Sequence, residues 1–264
     1  MNIIYRELKA NIRSLLIWGG IVVFFIYMGM AKFSAYEGNP ELLAILDNLP
    51  PALLNAFQFN AFNLTTITGF FGVMFNYFAI ILSVAAVMWG SDIITKEERD
   101  RTVEFSLTLP VARGKLVTAK ILAAMANSIG LILISWGALL INVKQYQPDP
   151  EFYEFMTLGI AALFFMQMIF LAVGIFLGCA MKQHKQASSV AVSLLLGTYF
   201  ISIVAGLKED WDFLKYVSPF KYFDPAALLR ESSMDMAFVG LSAGIIAVLI
   251  TGAYVTYSRR DLYI

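Results

Sequence analysis

Six apolar runs, each near or above the roughly 20 residues needed to cross a bilayer, constrain this 264-residue chain more than any other feature. They cover about 14–31, 64–90, 116–143, 155–181, 187–207 and 237–257. So many long apolar runs leave too little chain to build a soluble core around them. Composition agrees: 59% of the residues are hydrophobic and only 14% are charged, against about 25% charged in soluble domains. The expected fold is all-α, a polytopic membrane protein with six transmembrane helices in one domain over 1–264. Short amphipathic helices should lie at the interfaces. The second, third and fourth runs exceed a bilayer's thickness and should tilt or project from it. The first run lacks a clear small-residue cleavage site, so it reads as a retained anchor.

Charge orients the spans. An even number of spans puts both termini and the second and fourth connections on one side. That side carries 13 of the 19 basic residues and 7 of the 19 acidic ones, so the neutral total hides a dipolar layout. Basic residues concentrate in cytoplasmic loops, so the N- and C-termini are expected in the cytoplasm of a multi-pass cell-membrane protein. Two outer connections have their own character. In 40–51, Pro40 suits a helix start, Pro50 and Pro51 suit its end, and Leu42, Leu43, Ile45 and Leu46 give it an apolar face. Near 211–223, Trp211, Phe213, Tyr216, Phe220, Tyr222 and Phe223 crowd together. They suit an aromatic belt at the lipid–water boundary, and Phe220, Tyr222 and Phe223 are also candidates for an outer gate.

Lys120, with Arg113 and Lys115, is assigned to the headgroup level where the third span begins; beyond it the spans hold no Asp, Glu, Lys, Arg or His. Ionisable groups in a bilayer usually mark ion paths or proton relays. Their scarcity argues against an ion-coupled transporter and a voltage sensor. The polar groups within the spans are neutral. Asn76, Ser83, Asn127 and Gln167 either bond neighbouring helices or line a pathway. Gly69, Gly72, Gly174 and Gly178 can bring helices close, the last two as G-x-x-x-G. One cysteine, Cys179, and one histidine, His184, leave no basis for a disulfide or a Cys/His metal site within the chain. The phosphate-binding pattern G-x-x-x-x-G-K-[ST] fails at Gly114–Lys115, with Leu109 at the first glycine and Leu116 at the hydroxyl position. The chain is therefore expected to be no enzyme by itself and to bind no cofactor. Glu97–Glu98 partly fits the Glu-Glu-x-x-x-Arg pattern of a membrane protease, but Thr102 occupies the arginine position.

The densest charge lies in "KEERDRTVE", 96–104, where seven of nine residues ionise. As a helix it would pair Glu97 and Glu98 with Arg101, and Pro110 would end it. Val103, Phe105, Leu107 and Leu109 also alternate like a strand, so periodicity fits either form. A solvated topogenic loop and a docking element for a soluble partner both suit this composition.

The run "EERDRTVEFSLTLPVARGKLVTAKIL" resembles the second-to-third-span connection of type-2 ATP-binding-cassette (ABC) exporter permeases. The matching positions are Glu98, Thr102, Glu104, Leu107, Pro110, Val111, Arg113 and Lys120; Arg101 stands where that family usually has glycine. "YRELKANIRSLLIW" resembles the family's amphipathic lead-in helix, "SPFKYFDPAALL" the segment before its last span, and "YSRRDLYI" its C-terminal ending. The resemblance implies a permease subunit working with a separate ABC ATPase subunit, which would bind the ATP and Mg, and with a second permease copy, identical or paralogous. It implies no nucleic-acid partner, contact with membrane lipid, and a bacterial or archaeal cell membrane. Glu97, Glu98, Arg101, Thr102, Val103, Glu104, Phe105, Leu107, Pro110 and Arg113 would then form the ATPase-coupling segment. A hydrophobic or amphipathic substrate is expected, an antimicrobial peptide, peptide toxin or drug in the first place. A lipid- or sodium-linked exporter, a non-transporting sensor or assembly subunit, and an intramembrane enzyme are the alternatives. Nucleotide-dependent substrate movement, or activity without an ATPase, separates them.

Overall fold

The computed structural model describes residues 3–39, 62–100, 112–181, 183–207 and 209–259, with positions 41, 45, 48, 50 and 54 between them. The helix expected over 40–51 and the coupling residues Arg101 to Pro110 fall wholly or mostly outside the described residues. Six long helices carry the six apolar runs: α1 (Ile3–Phe33), α2 (Ile67–Arg99), α3 (Arg113–Val143), α4 (Pro150–Ala180), α5 (His184–Ala205) and, after the short α6 (Pro225–Glu231), α7 (Met236–Ser258). No strand occurs among the described residues. Local chemistry sets the helix starts. Thr66 Oγ1 accepts from the Gly69 amide at 3.2 Å to cap α2, and Pro150 opens the first turn of α4. The carboxylates of Asp224 and Asp235 accept from the second helical amides of α6 and α7 at 2.8 Å.

Two helices run furthest past their apolar runs. The lead-in residues 5–18 are not a separate helix; α1 passes through them without a break. No proline or glycine interrupts the helix before Gly19, and the intervening Leu, Lys, Ala and Arg are strong helix formers. Helix α2 continues nine residues past position 90, so Lys96, Glu97, Glu98 and Arg99 are its last turn rather than a loop. Ile93 and Ile94 remain buried there. At 1.5 Å per residue, its 33 residues span about 50 Å, some 20 Å more than the hydrocarbon layer.

The centre of the bundle is the pair α2–α4, the most extensive helix contact in the molecule. The two run parallel and touch backbone to backbone. A Cβ on Gly90 would collide with the Leu171 carbonyl oxygen, and one on Gly174 with that of Val87. Gly178 continues the contact: a Cβ there would lie 3.1 Å from the Ser91 carbonyl oxygen. The G-x-x-x-G pair thus lies in a helix–helix contact. Gly69 and Gly72 do not: their free space is taken by the Asn63 backbone and the Phe62 ring of the preceding connection. Away from this crossing, Phe71 packs edge-on to Phe152 and Phe155 at 5.7 and 5.4 Å. Around the central pair, α1 lies against α3, α5 against α2 and α7 against α4. Most of the surface of α1, α5 and α7 is left uncovered by the rest of the protomer.

Candidate functional site: the charged end of the bundle

The start of α1, the end of α2, the start of α3 and the end of α7 converge at one end. Lys96 and Glu97 are consecutive on α2, so their side chains diverge by about 100° and reach two different neighbours. Lys96 pairs with Glu7 of α1, and Glu97 pairs with Lys120 of α3. The Lys120 ammonium also donates to the Ile94 carbonyl oxygen at 3.4 Å. Glu7 and Lys120 are completely buried, and their partners are 16% and 12% exposed. Arg6 adds a 3.2 Å contact to the Glu7 carboxylate.

Buried ions of this kind are held only by their partners, because desolvating a lone charge costs several kcal/mol or more. The surroundings are apolar: Ile93, Ile94, Val117, Ile121, Ala124, Ile175 and Tyr257 form a second hydrophobic cluster at this end. Neutral polar links extend the network. Trp89 Nε1 donates to Ser14 Oγ at 2.8 Å, joining α2 to α1. Ser91 and Ser188 share a 2.7 Å hydrogen bond between α2 and α5, as Thr118 and Tyr254 do between α3 and α7. Arg113 donates to the Ser258 carbonyl oxygen at 3.4 Å. The described residues stop at Asp100 and resume at Ala112, both at this end, so these links form a frame on the two flanks of 101–111.

A sequence profile described as "ABC-2 family transporter protein" matches residues 1–262. The chain belongs to that family. No curated protein matches it. Six apolar helices and this membership make it a multi-pass membrane permease subunit of an ABC transporter, the component without the ATPase domain, whose family implies an ABC ATPase partner.

In this permease the expected coupling residues separate. Glu97 is turned inward onto Lys120, Glu98 is in the same helical turn, and Arg113 opens α3. Arg101, Thr102, Val103, Glu104, Phe105, Leu107 and Pro110 lie outside the described residues. Lys120, expected near the headgroups, is buried between helices two turns into α3, where Glu97 and the Ile94 carbonyl receive it. Glu7 and Lys96 were not singled out as site residues. Lys96 lies outside the apolar runs, so the signal for this pair is Glu7 itself, the one acid of α1, set in an otherwise basic turn.

The other candidates lie elsewhere. Ser83, Asn127 and Gln167 are buried within the permease, and Asn76 is half-buried. The Ser83 hydroxyl, the Asn127 amide nitrogen and both polar atoms of Gln167 have no hydrogen-bond partner among the described residues. Ser83 and Gln167 each sit seven residues, about two turns, before the Gly90 and Gly174 crossing points. The aromatic group at the far end divides. Trp211, Phe213 and Tyr216 are exposed, as a belt requires, whereas Phe220, Tyr222 and Phe223 are buried. Phe220 packs on Phe170 and Tyr199 at 5.3 and 5.4 Å, Phe223 on Phe165 at 5.8 Å, and Tyr222 stacks on Phe238 at 5.2 Å. The Tyr222 hydroxyl donates to the Tyr216 carbonyl at 2.7 Å, and burial pushes its phenol above the ordinary value. A cavity of about 360 Å³ opens beside them, lined in part by Lys221, Asp224 and Arg230.

Proposed function

We propose that this permease is the membrane half of an ATP-driven exporter of a hydrophobic or amphipathic substrate, with peptide toxins, antimicrobial peptides and drugs the leading classes. Two copies enclose the pathway, and one ATPase subunit docks on each at the charged end, which faces the cytoplasm. The observation that carries the reading is the frame around 101–111 within an ABC-2 family chain. A segment anchored between the ends of α2 and α3 receives a push from outside and delivers it to the two helices at once. Because α2 outruns the bilayer by several turns, force at its tip acts through a lever arm. The uncovered faces of α1, α5 and α7 leave surface for lipid and for a second copy. The 13-to-6 distribution of basic residues supports the cytoplasmic orientation of this end.

Co-purification of the full chain with the ABC ATPases encoded beside it tests the proposal. A stable complex is expected, with ATP-dependent movement of amphipathic peptides in proteoliposomes. Glu104→Lys and Phe105→Ala should weaken ATPase binding by about tenfold, near 1.4 kcal/mol, without reducing membrane insertion. If none of these ATPases binds the folded chain, the proposal fails.

A further inference from the structure

The two ion pairs have a property that simple docking does not require: both point inward, away from any soluble partner. Of the four charges, Glu7 and Lys120 are fully buried, and each belongs to a helix other than α2. Lys96 and Glu97 occupy neighbouring positions on α2, two turns beyond the close α2–α4 contact at Gly90. One helical turn therefore grips α1 on one side and α3 on the other. Further along, α1 meets α2 through rings instead, Phe25 on Phe78 at 5.8 Å and Phe33 on Phe70 at 5.1 Å. Among the described residues, Ser83, Asn127, Ser128 and Gln167 leave buried polar atoms without any hydrogen bond across the helices. Polar attachment is thus strong at the charged end and sparse at mid-depth.

We infer that Glu7, Lys96, Glu97 and Lys120 are positioning residues for energy transmission: they clamp α1, α2 and α3 into one mechanical body, so that displacement of 101–111 moves all three together. This rests on the reading that an ATPase docks at that segment. A buried ion pair suits a clamp because it resists separation steeply. Pulling the partners apart leaves two uncompensated charges in an apolar setting, whereas an apolar contact slides at small cost. The clamp transmits force and takes no part in ATPase recognition.

The test separates these two tasks. The chain's one cysteine, Cys179, is buried, so a cysteine placed at the exposed Gln145, beyond the far end of α3, is the reactive thiol. Its maleimide-labelling rate is measured in the permease–ATPase complex before and after trapping with ATP and vanadate. The parent complex is expected to change its rate by roughly threefold or more on trapping. Lys120→Met and, independently, Glu7→Gln should bind the ATPase with unchanged affinity yet lose that change. The exchanged pair, Glu97→Lys with Lys120→Glu, should restore it. Full transmission by folded Lys120→Met and Glu7→Gln would overturn the clamp, and so would an exchanged pair that folds, docks and stays silent. Loss of docking together with transmission in all three variants would make the pairs merely structural, also against the inference. Docking with no labelling change in the parent overturns the inference alone. A parent that binds no ATPase removes the functional reading and the inference with it.

Discussion

At the scale of single residues, Lys120 and Gln167 represent opposite ways of burying polarity. Lys120 has a carboxylate and a carbonyl to receive its charge. Removing it by Lys120→Ala should destabilise the permease by about 3–5 kcal/mol, because Glu97 stays buried without its cation. Thermal unfolding in detergent reads this loss. The double replacement Glu97→Leu with Lys120→Met should cost clearly less than Lys120→Ala. Gln167 is fully enclosed, with neither amide atom bonded among the described residues. Gln167→Leu is therefore expected to be neutral or to stabilise by about 1 kcal/mol, and a fall in unfolding temperature would contradict this. The sequence made Glu97 a candidate because it stands in a dense charge run, but it did not reveal the partner. Glu97 and Glu98 are adjacent, and only the helical register decides which one faces α3. Lys120 is 23 residues further along, so no local pattern joins the two.

At the scale of elements, α2 and α4 act as a single spine. Gly90→Ala and Gly174→Ala each place a methyl against a backbone carbonyl that cannot rotate away. Each should cost about 1–3 kcal/mol, read as a lower unfolding temperature. Gly197→Ala on α5, where an added Cβ meets nothing, should be silent within the isolated protomer. All six long helices were legible as apolar runs. Their ends were less so, since helix continues wherever side chains still find partners, and Asp92 with Arg99 and Lys96 with Glu7 hold the last turns of α2. The G-x-x-x-G of α4 was legible as a close-approach motif. Its partner was not, because every long helix is apolar enough to offer a face.

At the scale of the whole molecule, the bundle has two unlike ends. One is tied together by ion pairs between helices. The other is packed with rings and capped by short helical turns around Phe220, Tyr222 and Phe223. The proposed orientation assigns the first end to the cytoplasm. An impermeant maleimide should then label Ser233→Cys in intact cells, and Lys9→Cys only after the membrane is opened. Equal labelling of both would refute that orientation. The number of spans followed from counting apolar runs. How the helices pack was not available from such counting, since six helices of similar hydrophobicity admit many bundles. The specific contacts that distinguish this one include the glycine crossing of α2 and α4 and the two buried ion pairs.

The ion pairs also bear on how such a chain can diverge. A substitution at 97 that removes the carboxylate leaves Lys120 stranded, and the reverse holds equally. Each single step passes through a destabilised intermediate, whereas the paired change does not. Across related permeases, positions 97 and 120 should therefore be charged together, reversed together or neutral together, with 7 and 96 obeying the same rule. Such covariation would be a record, written in descent, of contacts that join separate helices.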